Sequence, residues 1–143
     1  MADLNFEGIE ELNAKLKKLN KQASRIENKA LREAAKIIHE EIVERAPKST
    51  VPRLPGKNGS QKWRTGRHAA EFLKVGNVVN KNGNKSIKIG LTRGDNSKAF
   101  YLKFFEWGTS KMEADPFMDP AAIEKKEEAK QKMADILREG LGL

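Results

Sequence analysis

Cysteine is absent, which excludes disulfides, thiolate metal sites and cysteine nucleophiles together and leaves packing alone to hold the fold. Aromatic residues are scarce at 6%, and the hydrophobic fraction of 38% faces a charged fraction of 34%, so a large apolar interior is not expected. Long apolar runs are missing too. The longest extends only from Ala99 to Leu102, far short of the roughly 20 residues that span a bilayer, and Met1 to Glu10 carries no apolar signal core. These absences lead us to expect a soluble protein made in the cytoplasm, with the 143 residues forming a single domain, 1–143.

The net charge of +8 is unevenly spread. Residues 1–44 hold eight basic and nine acidic side chains, and residues 99–143 hold seven and nine. Residues 45–98 hold thirteen basic side chains and only Glu71 and Asp95, which makes the middle third the candidate electrostatic surface.

Apolar residues recur at Ile9, Leu12, Leu16, Leu19, Ala23, Ile26 and Ala30, then at Ala34, Ile37, Ile38 and Ile42. Steps of three and four predict a long amphipathic helix, or two in line if Ser24 caps a second segment. Heptad spacing suits a partner helix as well as a core of its own. Pro47 stops the pattern and opens a basic Pro/Gly-rich loop over about 46–64, with Pro52, Pro55, Gly56 and Gly59. Connections this long are mostly functional or disordered, so it reads as a mobile arm or a contact surface.

The period then changes to two. Leu73, Val75 and Val79 mark one strand face, Ile87, Ile89 and Leu91 another, and the Asn82-Gly83 step between them predicts a 71–91 hairpin with Lys74, Lys85 and Lys88 on or near its wet side. For 99–107 we expect a short helix closed by Gly108, because a helix puts Lys103 and Glu106 on one exposed stripe and a strand would separate them. Asp119 before Pro120 has the form of an N-cap and first helical residue, opening a last helix that Gly140 would stop. The expected fold class is therefore α+β: a long N-terminal amphipathic helix and a C-terminal helix packed on a small antiparallel sheet.

Residues that carry chemistry are thinly spread. His39 precedes Glu40 but lacks a second histidine four residues on, so it reads as a helix-surface residue, and His68 as a loop-edge residue. Glu40, Glu41, Glu44, Glu124, Glu127 and Glu128 interleave with basic residues as a solvated helix face does. Glu106 stands apart among Phe104, Phe105 and Trp107; a structural salt bridge to Lys103 or an inter-subunit contact outweighs catalysis there. Gly56-Lys57 and Thr65-Gly66-Arg67 are fragments of a phosphate loop without its spacing. Trp63 between Lys62 and Arg64 suits base stacking, and equally a ring folded back on the sheet. The candidate contact set for nucleic acid or a partner is Lys48, Arg53, Lys57, Lys62, Trp63, Arg64 and Arg67. No catalytic residue, cofactor or metal is assigned.

The run Tyr101-Leu102-Lys103-Phe104-Phe105-Glu106-Trp107-Gly108-Thr109, followed by Pro116-Phe117-Met118-Asp119-Pro120-Ala121, resembles a siphophage neck family, the one named for gene product ten of a lambdoid coliphage. Phe6-Glu7-Gly8-Ile9-Glu10-Glu11-Leu12, Ala46-Pro47 and Thr65-Gly66 extend the resemblance over nearly the whole chain. Two departures stand out: the basic loop separates Ala46-Pro47 from Thr65-Gly66, and His68 occupies a place where leucine is common. From the residues alone, the aromatic-Gly-Thr and Pro-Phe steps read as a helix stop and a hydrophobic plug that seats the last helix.

The resemblance implies a structural virion protein of the neck. It would act in head-to-tail joining or tail completion, as a ring of copies on the DNA passage axis, with connector and tail proteins as neighbours and only transient DNA contact. Such a protein is not an enzyme, sits on no membrane, and is assembled in the bacterial host cytoplasm. The alternative from composition is a stand-alone nucleic-acid-binding protein using residues 45–98.

Overall fold

A computed structural model describes residues 9–48, 50, 54, 56, 66–91 and 99–142, with side chains described from residue 14 onward. Helix α1 spans Ile9–Arg45 without a break. Of the two alternatives, one long helix and two in line, the first holds, and Ser24 caps no second segment: its hydroxyl and carbonyl accept hydrogen bonds from Lys85 Nζ at 2.8 and 3.2 Å. Continuity is what the composition favours, since no glycine or proline lies between Ile9 and Arg45. Ion pairs one turn apart, Lys36–Glu33 at 2.7 Å and Arg45–Glu41 at 2.5 Å, line its surface.

A 3-10 turn at Ala69–Phe72 leads into strand β1 (Lys74–Lys81), which pairs antiparallel with β2 (Asn84–Gly90). The connecting Asn82 and Gly83 have φ of 52° and 83°, the two positive values a tight two-residue hairpin turn requires. Register slips between Val75 and Val78, where a bulge sets Val75 opposite Ile89 and Val78 opposite Ile87. The inner face is therefore Val75, Val78, Ile87 and Ile89, and Val79, expected inside from simple alternation, is turned out and 43% exposed. We expect Val78→Asn to cost about 1 kcal/mol in urea denaturation and Val79→Asn to stay within about 0.5 kcal/mol of the parent. Equal costs would mean that the bulge does not set the facing.

Lys85 departs from expectation, since it stands two residues before Ile87 on β2 and shares its face. It lies on the inward face, half-buried, and its ammonium reaches Glu27 at 2.5 Å as well as Ser24, tying the hairpin tip to α1. Lys74 and Lys88 are exposed as expected.

Helices α2 (Leu102–Trp107) and α3 (Met118–Leu141) complete the chain. The expected short helix closed by Gly108 is present, over Leu102–Trp107 and not the whole of 99–107, residues 99–101 being turn. The last helix starts earlier and ends later than expected: Asp119 and Pro120 lie inside its first turn, and Gly142, at φ 71°, forms the C-cap in place of Gly140.

Helix α3 runs antiparallel to α1. Arg45 pairs with Glu124 near one end, and at the other Gly140 packs so closely that a Cβ there would stand 2.6 Å from Ile26 Cγ2. The seam uses small residues: Ala30 and Ala34 on α1, Ala121 and Ala129 on α3, each 5% exposed or less. The main core gathers at the C-terminal end of α1, where Ile42 and Ala46 meet Ala69, Ala70, Leu73, Leu91, Ala99, Leu102, Phe117 and Met118. At the opposite end α1 outruns both its partners. Residues 14–22 are all exposed, with Leu16 at 49% and Leu19 at 60%, so the first turns of α1 extend about 20 Å past the body.

Candidate assembly site

The motif residues from Tyr101 to Pro120 converge on the elbow between α2 and α3. In α2, Leu102 and Glu106 lie one turn apart on the same inward face, at 0% and 5% exposure. Glu106 is thus not on an exposed stripe with Lys103, nor paired with it. Its Oε2 accepts N–H groups from Phe117 at 2.8 Å and Met118 at 2.9 Å, and Oε1 accepts that of Asp119 at 3.1 Å. The first four amide positions of a helix have no intrahelical acceptor. In α3 those are Phe117, Met118, Asp119 and Pro120; proline has no N–H, and one carboxylate satisfies the other three. The negative charge also meets the positive end of the α3 dipole.

Gly108 ends α2 at φ 70° and ψ 179°, a region essentially confined to glycine. A Cβ there would stand 2.9 Å from Ala114 N and 3.0 Å from Met112 O. Thr109 then folds the connection on itself: its backbone N–H donates to Met112 O at 2.8 Å, and its hydroxyl accepts from the N–H groups of Lys111 and Met112 at 3.2 and 3.1 Å. Asp115 N–H donates to Phe105 O at 2.7 Å, closing the elbow from the other side. Pro116 is exposed, Phe117 is buried at 5%, and Pro120 is half-buried. The Trp-Gly-Thr and Pro-Phe steps are therefore a helix stop, a bonded turn and a plug.

Outward from the elbow the surface is apolar. Phe104 at 39%, Trp107 at 36% and Met112 at 38% stand exposed. Tyr101 is half-buried and meets Phe100 edge-on at 5.9 Å, while Lys103 Nζ lies 5.6 Å from the Phe104 ring centre. Sequence reasoning missed Phe104 and Met112 as surface residues. The signal was there: with Leu102 and Glu106 inward on a helix of six residues, Phe104 and Trp107, three apart, fall on the other side.

The basic contact set is only partly placed. Arg53, Lys57, Lys62, Trp63, Arg64 and the motif residue Thr65 lie outside the described residues. Lys48 is exposed just beyond α1. Gly66, at φ 71°, has Leu54 Cδ2 2.7 Å from where its Cβ would be. Arg67 binds Glu71 at 2.6 Å and lies 5.0 Å from the Phe72 ring centre, so it is engaged within the fold. That pairing, with a bond from His68 N–H, holds the Glu71 carboxyl below its ordinary pKa. Of the histidines, His39 is a correction to the surface reading: half-buried, its Nε2 lies 2.9 Å from Leu73 O, which fixes that nitrogen as the protonated one and joins α1 to the start of the hairpin.

No helix among the described residues is long and apolar enough to cross a membrane. No curated protein and no solved structure matches the chain significantly. The profile of a family described as "Bacteriophage HK97-gp10, putative tail-component" matches residues 10–108, from the start of α1 to the glycine that closes α2. With more than two thirds of its length matched, and the aromatic-Gly step at the end of that match built into the elbow, the chain belongs to the HK97-gp10-like family of phage tail components.

Proposed function

We propose that the chain is a structural neck protein that joins head to tail or completes the tail, by assembling copies of itself and its neighbours around the DNA passage axis, without catalysis. The observation that carries this reading is the outward apolar surface of Phe104, Trp107 and Met112, mounted on an elbow that the Glu106 carboxylate and the Thr109–Met112 turn hold in place. Apolar side chains held out on a rigid support lose water only when a partner covers them. Leu16 and Leu19 on the overhang of α1 form a second such surface, well away from the first. Two unlike surfaces on one subunit support head-to-tail contacts, which close into a ring when the rotation per subunit allows. The virion is then its site of action, and the neighbouring connector and tail proteins are its partners.

Sedimentation across a concentration series, alone and with neighbouring neck proteins, tests this. The parent is expected to form closed particles visible by electron microscopy, and Phe104→Ser with Trp107→Ser to keep its melting temperature within a few degrees but lose assembly. A parent that stays monomeric under every condition, or a double variant that assembles as well as the parent, would sink the proposal.

A further inference from the structure

Counted along the chain, residues 1–44 are nearly balanced in charge, but the folded helix sorts them onto faces. Lys18, Lys21, Arg25, Lys29, Arg32 and Lys36 recur at steps of three and four, and all six are exposed. They share one stripe along the solvent side of α1, about 27 Å long. From Ser24 onward the remaining circumference is occupied: Ile26 and Glu41 face α3, and Ser24, Glu27 and His39 face the hairpin and the turn before it. Glu33 and Glu40 border the stripe. The hydrogen bond from Lys36 at 2.7 Å, helped by the charges of Lys36, Lys132 and Lys29, holds the Glu33 carboxyl below its ordinary pKa. The other five cations make no hydrogen bond or ion pair with any described residue.

We infer that this face of α1 is a landing surface for the phosphate backbone of duplex DNA. Three observations favour that occupant. The stripe has no apolar side chain within it, whereas the centre of a protein interface is apolar and depleted of charge. Among the described residues, a second copy offers on α3 mostly acids already paired, Glu124 with Arg45, Glu127 with Lys130, Glu128 with Lys125 and Asp135 with Arg138, and Asp119 and Glu139 stand at opposite ends of that helix. Each strand of duplex DNA, by contrast, carries a charge about every 3.4 Å of rise, and a straight cationic rod gains by releasing the counterions condensed there. Binding of this kind carries no sequence preference and fades with salt, which leaves DNA free to slide. It stands whether or not the chain forms a ring.

The test uses the full chain, a labelled duplex of about 30 base pairs, and fluorescence anisotropy from 50 to 200 mM salt. The parent should bind at the low end and release at the high end. Arg25→Gln, Lys29→Gln and Arg32→Gln together should weaken binding at 50 mM by roughly ten- to hundredfold and flatten the slope of log K against log salt by about three. Lys74→Gln, Lys81→Gln and Lys88→Gln remove the same charge from the exposed hairpin and should change affinity less than about threefold. Melting temperatures identify any variant that is merely misfolded. Equal losses in the two triple variants would reduce the effect to bulk charge and overturn the inference. So would stronger binding of poly-glutamate than of DNA by the parent, which would assign the stripe to an acidic protein. A change in sedimentation with unaltered DNA affinity in the stripe variant would assign it to subunit packing.

Discussion

Glu106→Ala is expected to destabilise the fold by about 3 to 5 kcal/mol, a fall in melting temperature on the order of 10 to 15 °C. Three N–H groups lose their acceptor at once, two of them buried. A hydrogen bond to a charged group contributes about 1.5 to 3 kcal/mol, and a buried donor left unpaired costs about 1 to 3, so partial relaxation of the helix start brings the sum into that range. Glu106→Gln keeps an acceptor oxygen, gives up the charge opposite the helix dipole and introduces N–H donors among donors; it should lose about half as much. Urea denaturation measures both. A cost under about 1 kcal/mol for the alanine variant, with assembly lost, would show that Glu106 serves a partner rather than its own helix.

Gly108→Ala should cost about 3 kcal/mol by the same measurement. Two terms add: the strain of a side chain in a backbone region reserved for glycine, about 1 to 3 kcal/mol, and a Cβ placed 2.9 and 3.0 Å from backbone atoms that the Thr109–Met112 turn holds in place. Gly83→Ala is the control that separates them. Gly83 also has a positive φ, 83°, but nothing lies within 4 Å of its Cβ position, so only the conformational cost remains, about 1 kcal/mol. Similar losses at the two sites would mean that the elbow yields to the added methyl.

The helices and the hairpin turn were legible because their signals are local. Steps of three and four from Ile9 to Ile42, and Asn82-Gly83 between two alternating runs, each determine structure within a few residues. Other features depend on contacts across the fold. Simple alternation cannot register the bulge at Gly76 and Asn77, so Val79 was assigned the place that Val78 takes. Lys85 read as a surface lysine because its partners, Ser24 and Glu27, are some sixty residues away. Asp119 looked like an N-cap because its type and the following proline fit; the true cap is contributed by Glu106, eleven residues before Phe117. Glu106 stands out in the sequence by its aromatic neighbours; its spacing from Lys103 suggests an exposed stripe and its spacing from Leu102 an inward face, and the fold follows the second. Charge summed along the chain averages over the faces of α1 and peaks in residues 45–98, where much of the candidate contact set lies outside the described residues.

The overhang of α1 bears on how fast the proposed assembly would form. A free helix of about fourteen residues is marginal in water because its first turn must be nucleated at a loss. Here the packed half of α1 supplies that nucleus, and the exposed turns form by propagation from it. A partner arriving at Leu16 and Leu19 meets backbone already wound, so most of the ordering entropy has been lost before encounter and association should proceed without a slow folding step.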